Sequence, residues 1–211
     1  MSRKLHGVTS PYFAVPVLAT LAVLGLAGPK PGGPVGEEDA VAFLVRAGGT
    51  PAEGFIENYK TDLQFNPASP EKASLRLILD MDSTSTGSRM ADRAATSEEF
   101  LDVDRYPTAE LTAKGAKPNG DGKYIMEGQL TLKGITKPIH LPLSINVKDG
   151  IASLKGETTV NRFDFGLGPE SYMGLVLDKD VKVRFALNHI HLHGTRSEAR
   201  ADASKEAIQS K

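Results

Sequence analysis

The sequence has no cysteine and no tryptophan in 211 residues, and almost no net charge. Without thiols it has no disulfide scaffold, thiolate zinc site, iron–sulfur cluster or cysteine nucleophile. Its 25 basic and 26 acidic side chains leave a formal charge of −1. Nucleic-acid binders normally carry a strong basic excess, so no nucleic-acid partner is expected. There is no internal repeat and no G-x-S-x-G nucleophile elbow. Gly166-Leu167-Gly168 lacks the further Gly and Lys of a phosphate loop. The carboxylates are scattered, so no general acid–base pair stands out. The chain is therefore expected not to be an enzyme and to carry no cofactor.

What is present falls into three parts. Arg3 and Lys4 precede an apolar run from Pro11 to Gly28, interrupted by Thr20. The run is long for a signal h-region and short for a spanning helix, so a cleaved signal peptide and an uncleaved membrane anchor both stay open. Either places the rest outside the cytoplasm, because the basic end stays inside. An uncleaved anchor would make the inner membrane a partner. Pro29-Lys30-Pro31-Gly32-Gly33-Pro34 has linker composition. Residues 1–36 are thus read as an export segment with its linker, 37–193 as the domain, and 194–211 as a charged, disordered tail.

Between these ends the dominant period is two. Leu75, Leu77, Leu79 and Met81 form one apolar row; Tyr124, Met126, Leu130 and Leu132 form another. Ile139, Leu141, Leu143, Ile145 and Val147 oppose His140, Ser144, Asn146 and Lys148. Val181, Val183, Phe185 and Leu187 oppose Lys182, Arg184 and Asn188. Phe55, Tyr59, Leu63 and Phe65 share one parity, which Glu57 and Thr61 interrupt. Such rows are strands with one face in a core and one in water. Asn119-Gly120-Asp121-Gly122 and Lys148-Asp149-Gly150 read as hairpin turns. Only Arg89 to Phe100 reads as helical. The pattern predicts an all-β antiparallel barrel or sandwich, with closure favoured because it removes exposed edges. Its inward rows either pack on one another or wall a ligand; periodicity leaves both open.

Two metal patterns are weak. Asp80-x-Asp82-x-Thr84 opens like a calcium loop, but Ser85 stands where Gly is needed and Ala91 where Glu is needed. His189, His191 and His193 alternate, so they would share one strand face, but no carboxylate or Cys completes a set. Solvated histidines are the favoured reading, and no metal site is expected.

In order along the chain, several landmarks resemble the YceI-like family of polyisoprenoid-binding proteins. They are Gly54-Phe55 with Leu63-Gln64-Phe65-Asn66-Pro67; Asp82-Ser83-Thr84-Ser85-Thr86-Gly87 with Arg89 and Asp92; and Phe100-Leu101-Asp102-Val103 with Arg105-Tyr106-Pro107. The most specific is Gly128-Gln129-Leu130-Thr131-Leu132-Lys133-Gly134-Ile135-Thr136-Lys137-Pro138, followed by Asn161-Arg162-Phe163-Asp164-Phe165-Gly166 and Asp178-Lys179-Asp180-Val181. The resemblance covers about residues 38 to 192. It implies an extended lipocalin-like, eight-stranded antiparallel β-barrel with one short helix. It implies non-catalytic binding, transport or storage of an isoprenoid lipid, a quinone or polyprenyl compound, in the periplasm. The chain departs from the family where Glu38-Asp39-Ala40 lacks the usual His-Ser, and where Ala94 and Ala95 replace a His-Leu pair.

On that basis the lipid-binding wall is expected to comprise Phe43, Phe55, Tyr59, Leu77, Leu79, Leu111, Met126, Leu130, Leu141, Leu143, Phe163 and Phe165. Arg89 and Arg162 are candidate headgroup contacts, although a structural role is favoured for Arg162. The ligand would be a bound isoprenoid lipid or quinone, and the assembly state a possible homodimer. The alternatives are a membrane-tethered interaction module with a packed interior, and an enzyme acting on a lipid headgroup.

Overall fold

The computed structural model describes residues 40–192. The expected export segment, its linker, the tail and His193 lie outside the described residues. The period-two rows form β1 (Ala40–Ala47), β2 (Thr50–Ile56), β3 (Tyr59–Gln64), β4 (Ser74–Asp80), β5 (Thr84–Ser85) and β6 (Thr108–Pro118). They continue as β7 (Lys123–Leu132), β8 (Ile135–Lys148), β9 (Ile151–Asn161), β10 (Ser171–Tyr172), β11 (Leu175–Val176) and β12 (Asp180–His191). Among the described residues the one α-helix is α1 (Arg89–Thr96).

The helix is shorter than its pattern suggested. Ser97 takes an extended conformation. The Phe100 ring sits 5.1 Å from that of Tyr172, edge to face. It also lies where a Cβ on Gly168 would be, 2.3 Å away. This contact with a distant loop draws Phe100 out of the helix.

Ten strands form one antiparallel sheet in the order β3-β4-β6-β7-β8-β9-β12-β1-β2-β5, with β10–β11 a separate hairpin. The sheet curls. Its two end strands are pieces of staves that also take part elsewhere. β2 and β3 are one stave bent at Glu57-Asn58, and β4 and β5 are one stave interrupted by a single 3₁₀ turn, Met81–Ser83. Hydrogen bonds bridge both interruptions: Glu57 N donates to Ser83 O (3.2 Å), Asn58 N to Ser83 Oγ (2.9 Å) and Asp80 N to Asn58 O (2.9 Å). Counted as continuous staves there are eight, as the family pattern implies. Among the described residues no ladder joins β3 to β12, so the curl closes there through the chain itself.

Antiparallel order gives the barrel two unlike ends. The lower end holds the β3–β4, β6–β7 and β8–β9 connections. The upper end holds the β1–β2 turn, α1 with residues 97–107, the β7–β8 turn and the β9–β12 connection. The lower half is filled: Leu63, Met126, Leu154 and Leu187 are fully buried, and the Phe65 and Tyr124 rings meet edge to face at 5.1 Å. Interiors of this kind are close-packed and supply most of the apolar stabilisation.

Candidate functional site

The upper half of the interior holds a cavity of about 40 Å³. It is walled by Val41, Leu77, Leu79, Leu111, Leu130, Ile139, Leu141, Thr158, Val160, Val183 and Phe185. Ten of these eleven side chains are apolar and none is charged. The Thr158 hydroxyl is already engaged, donating to the His140 carbonyl at 3.1 Å. Just outside the barrel a groove of about 540 Å³ runs between α1 and the β10–β11 hairpin, lined by Arg89, Met90, Arg93, Ala94, Ser97, Tyr172 and Met173.

The twelve expected wall residues divide. Leu77, Leu79, Leu111, Leu130 and Leu141 line the cavity. Met126, Leu143 and Phe165 are buried in the packed core, and Tyr59 packs against it. Phe43 pairs with Gly54, and its ring occupies the space a Gly54 Cβ would need, 2.2 Å away. Phe55 is a correction. It pairs with Ala42, while its neighbours Gly54 and Ile56 are buried on the other face. The bend at Glu57-Asn58 shifts the parity, so Ile56 and Tyr59, three positions apart, both point inward. Phe163 is a second correction. It lies in a 3₁₀ turn (Arg162–Phe165) beyond the end of β9 and is 43% exposed.

Arg162 does not reach the cavity. It is 3% exposed, and its guanidinium donates to five backbone carbonyls. Nε bonds Asp178 O (2.9 Å); Nη1 bonds Leu167 O (2.6 Å) and Gly168 O (3.0 Å); Nη2 bonds Pro169 O (2.7 Å) and Leu177 O (3.1 Å). All five N–H donors of a guanidinium are thereby used, leaving none for a headgroup. Its Cζ also lies 4.0 Å from the Phe163 ring centroid. Burial pushes the Arg162 pKa down, and the Glu170 carboxylate partly offsets this. Arg89 is exposed at the start of α1 and lines the outer groove, away from the cavity.

Lys133, which was not among the expected site residues, does a similar job. Its Nζ donates to Glu98 O (2.8 Å) and Gly166 O (3.1 Å), and lies 3.4 Å from Glu99 O. The turn that presents it needs Gly134 at φ +73°, against the Tyr106 ring. Gly168 N donates to Glu99 O (2.8 Å), Gly48 N to Val176 O (2.8 Å) and Asp178 N to Arg46 O (2.9 Å). These bonds tie three connections into one cap over the cavity. Four positions of the landmark Asn161-Arg162-Phe163-Asp164-Phe165-Gly166 have a structural role. Asn161 Oδ1 accepts from Phe163 N (3.1 Å), Arg162 gathers carbonyls, Phe165 is buried and Gly166 ends the turn at φ +62°.

The described residues of the two metal patterns take part in local structure. Asp80 Oδ1 accepts from Asp82 N at 3.2 Å, and Thr84 Oγ1 donates to Met81 O at 2.7 Å, so both serve the local turn. β12 has a bulge between Leu187 and Ile190, with His189 at φ +56°, and His189 and His191 are both exposed on either side of buried Ile190. Among the described residues no cluster of three metal-ligating side chains occurs.

Comparison with known proteins gives a consistent picture. The YceI-like domain matches residues 36–189. A UPF0312 protein of Pseudomonas savastanoi is 31% identical over 134 residues, covering 61% of this chain and 70% of that one. One from Pseudomonas putida is 29% identical over 136 residues, covering 62% and 71%. Among solved structures, Burkholderia cenocepacia BcnA has a TM-score of 0.66 at 22% identity, covering 70% of this chain and 94% of that one. A polyisoprenoid-binding domain from Saccharophagus degradans has a TM-score of 0.60 at 14% identity, covering 72% and 94%. These identities establish a shared fold.

Proposed function

The chain belongs to the YceI-like domain family, and from that premise we propose that its barrel is a non-catalytic binder of an isoprenoid lipid chain. The observation that carries this reading is the charge-free apolar wall around the upper cavity, under a cap built from separate loops. Sheltering an apolar chain there gains about 0.8 kcal/mol for each CH₂ removed from water. Ten such groups give roughly 8 kcal/mol gross, against association costs of several kcal/mol. Micromolar binding, about 8 kcal/mol net, therefore takes about fifteen or more such groups, and then needs no polar contact.

The cavity itself, about 40 Å³, exceeds the roughly 30 Å³ share of one water molecule by little. A chain therefore enters only if leucines of the upper half move and the cap loosens. Leu77, Leu111 and Leu141 are the side chains that must give way. The same small volume favours a second reading, a domain whose interior is simply packed.

The two readings part in one experiment. Delipidated protein is incubated with a polyprenol, an isoprenoid quinone or a fatty acid, and bound ligand is counted by native mass spectrometry. One chain per protein is expected for at least one isoprenoid, and none for a Leu111→Trp variant that keeps the unfolding midpoint of the wild type. No uptake of any of the three would support the packed module. Export to the periplasm belongs to the same proposal; fractionation of cells expressing the full chain tests it, and recovery in the cytoplasm would refute it.

A further inference from the structure

Large apolar side chains are unevenly exposed on this barrel. Of the seven that stand out into solvent among the described residues, six lie at the upper end: Met90, Ile135, Phe163, Met173, Leu175 and Val176. The seventh, Ile151, is at the lower end. Met90, Met173 and Val176 are 68%, 71% and 66% exposed. Lower-end turns are built instead from residues such as Asn119, Asp121, Lys148 and Asp149. Isolated exposed apolar residues are ordinary; a set confined to one end marks a contact surface.

The chemistry of the set narrows the partner. Met90 and Met173 face one groove together with Arg89 and Arg93, its two charged lining residues. That end also carries acidic side chains, among them Asp92, Asp104, Asp164, Glu170 and Asp178, but none of them lines the groove. Ala94, a small side chain, stands at the groove where the family pattern carries a His. Apolar side chains at loop and helix tips beside guanidinium groups match a surface that is apolar within and anionic at its face. Backbone bonds fix the tips: Val176 O accepts from Gly48 N, and Leu177 N donates to Glu170 O at 2.9 Å. The hairpin that carries Met173 and Val176 is thereby held at its base.

We propose that the upper end of the barrel docks on an anionic lipid bilayer, inserting Met90, Met173 and Val176 while Arg89 and Arg93 contact lipid phosphates. Docking this way brings the cap, and the cavity beneath it, to the membrane face. The proposal stands on the exposed side chains and does not depend on what the cavity holds.

The absence of tryptophan gives a clean reporter. A Met173→Trp variant and an Ile151→Trp control are made in the full chain, so the apolar run near the N-terminus contributes equally to both. Each is mixed with vesicles of phosphatidylcholine, with or without phosphatidylglycerol, carrying brominated acyl chains. Met173→Trp is expected to shift to the blue and be quenched on anionic vesicles, with Ile151→Trp unchanged. Adding Arg89→Glu and Arg93→Glu removes two contacts worth about 1 kcal/mol each and adds repulsion, so the vesicle concentration needed for half-quenching rises by at least roughly 30-fold. Quenching at Met173→Trp no greater than at Ile151→Trp overturns the proposal. So does a blue shift that grows with protein concentration in the absence of vesicles, which would assign the surface to a second copy of the chain. Ligand uptake into the cavity is measured separately, so its failure and that of docking are distinguishable.

Discussion

Replacing Arg162 by Met tests the reading of the cap most directly. Met keeps much of the aliphatic stem and removes the guanidinium. Five hydrogen bonds of 2.6–3.1 Å are lost. A hydrogen bond contributes about 1 kcal/mol net, and charged donors more. The direct sum is then about 5 kcal/mol, reduced where released carbonyls find water. The loss expected is about 3–5 kcal/mol, a large part of the 5–15 kcal/mol typical of whole domains. Arg162→Lys has three donors in place of five and should lose about 2 kcal/mol. Urea unfolding with linear extrapolation measures both variants. Amide exchange should show residues 166–178 opening first, since the lost bonds all lie there. A loss below about 1 kcal/mol for Arg162→Met would refute the structural role. Unchanged stability with abolished ligand uptake would return Arg162 to the headgroup.

Three further substitutions probe the interior. Leu111→Ala should cost about 2–4 kcal/mol in urea unfolding and enlarge the upper cavity, so that more isoprenoid is retained in native mass spectrometry; a loss of retention would argue against that cavity as the binding place. Gly128→Ala should cost about 1–3 kcal/mol, because its Cβ would lie 2.3 Å from the Thr112 carbonyl oxygen and 2.9 Å from the Ala113 Cβ; a thermal midpoint equal to wild type would contradict the packing. Thr61 Oγ1 is buried on the inner face opposite Leu77 without a hydrogen-bond partner. Thr61→Val should therefore stabilise the protein by about 1 kcal/mol. If it instead weakens quinone binding but not polyprenol binding, the hydroxyl is serving a ligand oxygen.

The strands were legible because one face of each is apolar and the other polar, as in Ile139 to Val147. Where that contrast fails, so did the reading. Phe55 and Ile56 are adjacent and both apolar, so sequence offers no sign of which points inward. The bend at Glu57-Asn58 decides it, and that bend is fixed by Ser83 and Asp80, more than twenty residues away. Phe163 falls elsewhere for a different reason: it belongs to the aromatic landmark Asn161 to Gly166, where side-chain capping by Asn161 starts a 3₁₀ turn that exposes Phe163 while burying Phe165. Lys133 escaped notice because its partners are backbone carbonyls 33–35 residues distant, which have no sequence signature. The family landmarks were legible as motifs, but Phe100, Tyr106, Lys133 and Arg162 turn out to build the cap. The cavity wall is made of ordinary leucines and valines between them.

The two cations that hold the cap grip peptide oxygens, and every residue type supplies one. Lys133 and Arg162 therefore specify the path of the loops without specifying the side chains that the loops display. Substitutions at Met90, Met173 or Val176 can accumulate while the path is kept, so relatives with this scaffold could diversify the outer face as antibodies diversify their loops. Variation among relatives should concentrate at those tips, with the carbonyl-gripping pair and the glycines beneath them held constant.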